Sequence, residues 1–485
     1  MSVRRTLSAS VGALLLAGCA VGPDFHRPAP PAVRQYGAPR AQSTATVVGD
    51  EPQQLQLGAS VPERWWEAFG SGQIDALVDQ VLAANPDIHA GQAALRAALE
   101  TAAAARGALW PGLQASYQGE RRQDSGTLSP TLNSAAPIFT LHTAEVDVSY
   151  TLDVFGGNRR TVEALVATAE AQRSALEATR LTLVSNAIVA VVNQAAAQAQ
   201  ISALKHVVQE ERAALEIVRQ QYALGSVALA TVNAQEATLS QAEAALPGLE
   251  QQRAQQQDLV AALAGRAPSQ MAPLDVELSA LTLPREVPLT LPAQLVTQRP
   301  DIRAAEAQLH AATAQVGVAQ AALLPAISLS GNSGAAAVQL SNLTGPGTRF
   351  WSLGGSLSQT LFAGGSLVHR KRAAVALMDQ AADSYRSTVL QAFRQVADVL
   401  AALQSDAATL AAQTRAESAA AQSLSLVVQN LELGSVSGLE LIQAEHDHET
   451  AVLALLQARA ARLADTVALY QALGGGWAVT PAAAR

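Results

Sequence analysis

Two periods of hydrophobic patterning divide this chain. Ala144, Val146, Val148, Tyr150 and Leu152 alternate with Thr143, Glu145, Asp147, Ser149 and Thr151. Period two predicts a strand with one apolar face. Its expected partner sets Leu113, Ala115 and Tyr117 against Gln114, Ser116 and Gln118. Two similar segments follow: Ile327 and Leu329 against Ser328 and Ser330, then Trp351, Leu353 and Leu357 against Ser352, Ser356 and Ser358. One apolar and one polar face over about ten residues fits a strand of a membrane β-barrel. Residues 124–136 and 331–347 are polar, rich in glycine, serine or proline, and are expected to be loops. Four strands do not close a barrel, and hydrocarbon tolerates no open sheet edge. Strands in a membrane therefore require several copies: two would make a barrel filled by its own side chains, three would leave an aqueous lumen. A soluble sheet with one wet face is the other reading of this pattern.

The second period is helical. Residues 158–224 and 366–433 contain neither glycine nor proline. Each run follows Gly-Gly and opens on a capping type of residue, Asn158 or Ser366. Each ends at a glycine, Gly225 or Gly434, where a left-handed residue is wanted. At about 1.5 Å per residue each helix would extend roughly 100 Å. Leu176, Leu183, Ala187, Ala190 and Gln194 follow a roughly heptad track, with alanine filling much of the rest. Shorter return helices are expected near residues 230–264 and 439–473, antiparallel to the long ones. Periodicity alone leaves open a closed wall of helices, a two-stranded coiled coil or a spectrin-like bundle. A membrane-spanning helix over residues 181–204 is not expected, because Ser185, Asn186, Asn193, Gln194, Gln198 and Gln200 interrupt it.

The chain is also written twice. Asn85-Pro86-Asp87-Ile88 is matched by Arg299-Pro300-Asp301-Ile302, and Leu109-Trp110-Pro111 by Leu323-Leu324-Pro325. Phe155-Gly156-Gly157 is matched by Phe362-Ala363-Gly364-Gly365, and Leu224-Gly225-Ser226-Val227 by Leu433-Gly434-Ser435-Val436. The order is preserved and the spacings differ by only a few residues, as after a duplication. Each copy reads as helix, hairpin, very long helix, turn, helix. Pro268, Pro273, Pro284, Pro288 and Pro292 lie between the copies and predict an ordered crossover strap. Residues 23–62 are similarly proline-rich and expected to be extended; the tail from Gly474 is expected to be poorly ordered.

Composition narrows the function. A net charge of −8 without an extended basic tract argues against nucleic acid. Arg4 and Arg5, a short apolar run from Val11 and then Leu16-Ala17-Gly18-Cys19 read as a secretory signal ending in a lipobox. Cys19 is the only cysteine, so it is the expected lipidation site, and no disulfide framework exists. Glu445-His446-Asp447-His448-Glu449 looks metal-binding, but on a helix the two histidines point about 200° apart. Glu445, His448 and Glu449 could share a face, and a solvated helix face is the expected reading. No nucleophile elbow, phosphate loop or zinc-binding helix motif occurs, so neither an enzyme, a metal site nor a cofactor is expected.

Cys19-Ala20-Val21-Gly22-Pro23-Asp24-Phe25 with Arg27-Pro28 resembles the opening of NodT-type outer-membrane lipoproteins, a branch of the TolC-like outer membrane factors. Trp65-Trp66-Glu67-Ala68-Phe69, Asn85-Pro86-Asp87-Ile88, Gln298-Arg299-Pro300-Asp301-Ile302-Arg303 and Leu323-Leu324-Pro325 extend the resemblance to nearly the whole mature chain. It implies a mixed α/β membrane protein: a trimeric, 12-stranded transmembrane β-barrel, four strands per chain, continuous with a long periplasmic α-helical barrel. The implied layout is signal peptide 1–18, lipidated extended segment 19–70, first repeat 71–264, crossover and strap 265–298, second repeat 299–473 and tail 474–485. The implied function is the exit duct of a tripartite efflux system in the outer membrane, lipid-anchored and reaching into the periplasm. Its implied partners are two further copies as a homotrimer, a periplasmic adaptor (membrane fusion) protein, an inner-membrane pump of the resistance-nodulation-division type and outer-membrane lipid. The implied periplasmic gate lies at the two Leu-Gly-Ser-Val turns and just after them. There Leu439 stands at a constricting leucine and Gln443 where many relatives carry an aspartate, with Glu440 and Glu445 as acidic neighbours. A type I secretion duct and a lipid-anchored structural coiled-coil protein are the alternatives.

Overall fold

The same run of elements occurs twice, and local sequence signals mark most of its joints. The computed structural model describes residues 20–33, 35–36, 52–123 and 138–476. The signal segment, Cys19, the loop at 124–136 and residues 477–485 of the tail lie outside the described residues. The first run comprises α1 (Gly72–Ala84), α2 (Pro86–Arg106), β2 (Gly112–Gln123), β3 (Ile138–Leu152), α3 (Gly157–Ala223) and α4 (Leu229–Leu263). The second comprises α5 (Pro292–Gln298), α6 (Pro300–Ala321), β5 (Ala326–Ala337), β6 (Arg349–Ser358), α7 (Ser366–Glu432) and α8 (Gly438–Ala472). Two short strands, β1 (Gln54–Leu57) and β4 (Glu286–Leu289), complete the described α-helices and β-strands. These residues form two compact units: Met1–Pro28 with Ala94–Gln172 and Ala304–Tyr385, and Ala29–Ala93 with Arg173–Arg303 and Arg386–Arg485.

The first unit holds a four-stranded antiparallel sheet in the order β2-β3-β5-β6. Its register puts Leu113, Val148, Gly331 and Leu353 in one cross-strand row, and Ala115, Val146, Ser333 and Trp351 in another on the same face. The intervening row is Gln114, Asp147, Asn332 and Ser352. Ser352 Oγ hydrogen-bonds Asn332 Oδ1 at 2.8 Å, and Asn332 Nδ2 donates to Glu145 Oε2 at 3.3 Å. The polar face thus satisfies itself sideways, while Leu113, Val148, Leu353 and Trp351 stay exposed. One expectation fails: Gly331–Ala337 is strand, not loop, and only the connection beyond it turns, through a short 3-10 segment at Leu340–Asn342. Glycine suits Gly334 because the neighbouring strand β3 leaves no room for a side chain; a Cβ there would lie 2.4 Å from the Ala144 carbonyl oxygen.

The long helix α3 does not use Asn158 as its cap. Asp153, before the glycine pair, accepts from the backbone N–H of Asn158 through Oδ1 and of Arg159 through Oδ2, each at 2.9 Å. Asn158 sits inside the first turn, and its side chain donates to the Ala108 carbonyl at 3.3 Å. A carboxylate at the positive end of a helix is the stronger cap. Gly156 takes φ +77°, which reverses the chain between cap and helix.

The N-terminal segment belongs to the same unit. Gly22 (φ +101°) lies against Gly317 of α6, and a Cβ on Gly22 would come within 2.4 Å of the Gly317 Cα. Phe25 stacks on His310, with ring centroids 4.3 Å apart and planes at 15°. Arg27 Nε donates to Glu306 Oε1 at 2.6 Å. The Val21-Gly22-Pro23-Asp24-Phe25 motif is therefore a docking strip for α6 and the start of α3.

In the second unit the two copies close in parallel fashion. Asn85 Nδ2 donates to the carbonyl of Leu263, the last residue of α4, at 2.8 Å. Arg299 Nη1 donates to the carbonyl of Ala472, the last residue of α8, at 2.8 Å. The repeated Pro-Asp-Ile blocks thus tie each short helix to the end of its return helix. Arg299 is buried and also grips Asp301 through Nε and Nη2 at 2.9 and 2.7 Å. The strap is ordered: β4 pairs in parallel with β1, and Gln194 of α3 donates to the Leu274 carbonyl at 2.9 Å. Trp65, Trp66 and Phe69 form a buried 3-10 turn, with Trp65 stacked on Tyr470 at 4.9 Å. Arg462, 2% exposed, donates to the Leu403 carbonyl and to Gln53. Gly474–Gly476 is packed rather than loose, since a Cβ on Gly476 would lie 2.2 Å from the Pro62 carbonyl oxygen.

The heptad track in α3 is interior throughout: Leu176, Leu183, Ala187, Ala190 and Gln194 are all buried. By length and composition α3 contains a stretch apolar enough to cross a membrane, but more than half of that stretch is buried inside the protein. Ser185 and Gln194, counted as interruptions, are themselves buried in protein.

Candidate functional site

The expected gate lies around two turns of the second unit, and both close by the same hydrogen bonds. Gly225 (φ +74°) donates to the Tyr222 carbonyl, and Ser226 N–H to the Gln221 carbonyl, each at 2.9 Å. Gly434 (φ +70°) and Ser435 repeat this with Leu431 and Asn430 at 2.9 Å. Each serine hydroxyl also bonds to the carbonyl its own N–H uses, at 2.7 Å for Ser226 and 2.9 Å for Ser435. Glycine is required because the last turn's orphan carbonyls are satisfied only when the next residue is left-handed. Serine then doubles the closure. Behind the first turn Val208, Leu215 and Val218 of α3 pack on Val232 and Leu239 of α4, with Val227 against them.

The four gate candidates fall in different settings. Leu439, the second residue of α8, is 68% exposed. Glu440 closes a capping box: its carboxylate accepts from Ser437 N–H at 3.0 Å, and its own N–H donates to Ser437 Oγ at 3.4 Å. Gln443 is exposed, and its amide donates to Asp447 Oδ1 at 2.8 Å. Glu445 turns inward toward α3. Leu439, Gln443 and Glu445 line one groove of about 920 Å³ with Ile217, Val218 and Glu211, whereas Glu440 stands outside it.

An acidic cluster at this groove was not legible beforehand. Glu449 lies against Glu210, with Glu211 and Glu445 beside it. Burial first, then these carboxylates, hold the Glu449 proton well above the ordinary glutamate range. Burial and then Glu210 and Glu211 raise Glu445 in the same sense. Glu211 is raised by burial, against a hydrogen bond from Gln235 of α4 and the nearby His446. His448 faces the other way, 3.6 Å from Glu417 of α7. Of the three residues expected on one face, Glu445 and Glu449 share it and His448 leaves it. The i, i+4 spacing of the two glutamates was the available signal; Glu210 and Glu211, more than two hundred residues away, had none. Among the described residues no group of three or more histidine, cysteine or acidic side chains is placed to hold a metal ion.

The outer membrane efflux protein family matches residues 77–266 and 291–475, well over half of the chain. TtgC of Pseudomonas putida, a probable efflux pump outer membrane protein, is 29% identical over 481 residues, covering 97% of this chain and 95% of that protein. The pyoverdine export outer membrane protein OpmQ of Pseudomonas aeruginosa is 30% identical over 434 residues, covering 86% and 88%. Among solved structures the outer-membrane channel OprN aligns with a TM-score of 0.82 at 27% identity, over 95% of this chain and 100% of that one. With its duplicated helices, its two-faced sheet and these matches, the chain belongs to the outer membrane efflux protein family and is an outer-membrane efflux channel that reaches into the periplasm.

Proposed function

We propose that three copies of this chain form the exit duct of a tripartite pump, which carries small molecules from an inner-membrane pump of the resistance-nodulation-division type, through a periplasmic adaptor, to the exterior. The sheet carries the reading. Among the described residues its edges, β2 and β6, have no further strand partner, and one face is apolar and exposed. Hydrocarbon cannot satisfy the N–H and C=O groups of an open edge, so β6 of one copy must meet β2 of the next until the ring closes. Two copies of a four-stranded sheet would close a filled barrel; three close one with an aqueous lumen. Relatives named for toluene efflux and pyoverdine export support a small-molecule cargo.

The gate reading goes with it. Leu439 of each copy forms an apolar constriction at the helical tips, with Gln443, Glu440 and Glu445 setting the charge around it. Anchoring follows from the lipobox: Cys19 carries the lipid. Its neighbour Ala20 is seated where the sheet meets α3, since a Cβ on Gly156 would lie 2.6 Å from the Ala20 Cβ.

Native mass spectrometry of the purified protein, with conductance in planar bilayers, tests the duct. Three copies and an aqueous conductance are expected; a dimer, or a trimer that never conducts, sinks the reading. A deletion strain should become sensitive to small toxic compounds. Loss of a secreted protein instead would favour a type I secretion duct.

A further inference from the structure

The two long helices begin in opposite electrostatic states. At the start of α3 every arginine is answered by carboxylates. Arg159 Nε lies 3.2 Å from Asp153, and Arg160 bonds Asp24 and Glu163 at 2.6 and 2.8 Å. At the start of α7, His369, Arg370, Lys371 and Arg372 fall within the first two turns, and no acidic residue occupies the first. Counted from the glycine pair, Lys371 stands where Glu163 stands in the first copy, and Thr360 and Leu361 precede the glycines where Asp153 does. No aspartate or glutamate occurs from residue 349 to residue 378. Among the described residues Arg370, Lys371 and Arg372 make no ion pair. Cations at the positive end of a helix oppose its dipole, so this arrangement calls for an anion from outside the chain.

The surroundings say which anion. β6 ends at Ser358, after a row of exposed apolar residues, Trp351, Leu353 and Leu357. Leu361 and Phe362 continue that apolar surface at 90% and 88% exposure. The matching turn of the first copy is covered: Val21 N–H donates to the Phe155 carbonyl at 3.0 Å, and Ala20 lies over Gly156. Among the described residues nothing comparable covers Phe362. Apolar side chains followed directly by long cationic ones make an amphipathic collar, in which the apolar groups enter acyl chains and the cations reach headgroups. The other sheet edge repeats the order, with Arg106 and the exposed Trp110 immediately before β2.

We propose that the start of α7 is a binding site for anionic phospholipid headgroups of the periplasm-facing leaflet, with Arg370, Lys371 and Arg372 on the phosphates and Leu361 and Phe362 among the acyl chains. The site rests on the reading of the four-stranded sheet as membrane-spanning.

The test uses full-length protein in phosphatidylcholine vesicles, with trace spin-labelled phosphatidylglycerol or spin-labelled phosphatidylcholine reporting lipid held at the protein surface. The wild type should prefer phosphatidylglycerol by about fivefold or more, a preference weakened by salt. Combined Arg370→Gln, Lys371→Gln and Arg372→Gln should bring the ratio close to one with the oligomer and insertion intact. Arg370→Lys with Arg372→Lys should keep it. Inorganic phosphate should displace no more lipid than sodium chloride of equal ionic strength; selective displacement would make this a soluble-anion site and overturn the proposal. An unchanged ratio in the triple glutamine variant would overturn it while leaving the membrane reading standing. So would loss of the oligomer in that variant with no lipid preference in the wild type, which would assign the cations to a neighbouring copy. A wild-type protein that fails to insert at all would remove the membrane reading, and this site with it.

Discussion

Asp24 accepts a hydrogen bond from Arg160 Nη2 at 2.6 Å, which joins the N-terminal segment to the first turn of α3. Arg160 is buried, and its Nε also reaches the Val21 carbonyl at 3.3 Å. One guanidinium therefore holds the strip at two points. The hydrogen bond from Arg160, and then its charge, hold the Asp24 carboxyl below its ordinary value of 3.8. A lowered carboxyl contributes above its ordinary value and is lost as the pH falls through the lowered one. The clasp should therefore hold across the neutral range and open only in strong acid. Asp24→Asn should raise amide exchange across residues 20–28 at pH 7, and the wild type should approach the same exchange only in strong acid, after correction for the intrinsic rate. Equal protection in both proteins at pH 7 would show that Gly22 and Phe25 suffice.

Val148 shares its row with Leu113, Gly331 and Leu353, and Ser149 shares the opposite face with Ser330 and Gly354. Arginine at Val148 should destabilise the protein by about 2–4 kcal/mol if that row lies near the bilayer midplane. Arginine at Ser149 should cost less. Unfolding in lipid with urea measures both, and equal losses would count against a membrane face.

Leu439 is exposed at the beginning of α8, as a residue meeting its copies would be in a single chain. Leu439→Ala should raise single-channel conductance, because an apolar ring can block ions by dewetting. Gln443→Asp should shift selectivity toward cations, and it also removes the amide that donates to Asp447. An unchanged conductance for Leu439→Ala, with the trimer intact, would move the constriction elsewhere.

Glu449 is raised by burial and by Glu210, Glu211 and Glu445, with His446 near Glu211 and His448 turned to Glu417. A raised carboxyl contributes fully below its ordinary value of 4.5, and that contribution is lost as the pH rises through the folded value. Glu449→Gln keeps the neutral form. Its melting temperature should exceed that of the wild type in alkaline buffer, and the gap should close toward pH 4.5. A gap that widens in acid would contradict the placement of Glu449 against Glu210.

Cys19 should carry a diacylglyceryl thioether at the mature N-terminus, detectable by mass spectrometry. Cys19→Ser should lose the lipid without losing the trimer, since a closed barrel holds the membrane by itself. An unmodified Cys19 in the mature protein would refute the anchor.

The sequence by itself determined the features that depend on near neighbours. Alternation along β3 set which side chains share a face, because the strand period is two. Gly225 and Gly434 set where the long helices end, because a left-handed residue is a local requirement. The duplicated Pro-Asp-Ile and Leu-Gly-Ser-Val blocks were legible as identities of text. Tertiary structure decided what depends on distance in space. Asp153 displaced Asn158 as the cap of α3, because the Gly156 turn carries its carboxylate back over the first N–H groups. Gly331–Ala337 became strand, although its composition reads as loop, because β3 and β6 supply hydrogen bonds on both sides. Glu445 and Glu449 met Glu210 and Glu211 only because α8 returns along α3. Periodicity names the face that a side chain occupies; the partner on that face, and the charge it must bear there, are set by how the helices and strands pack.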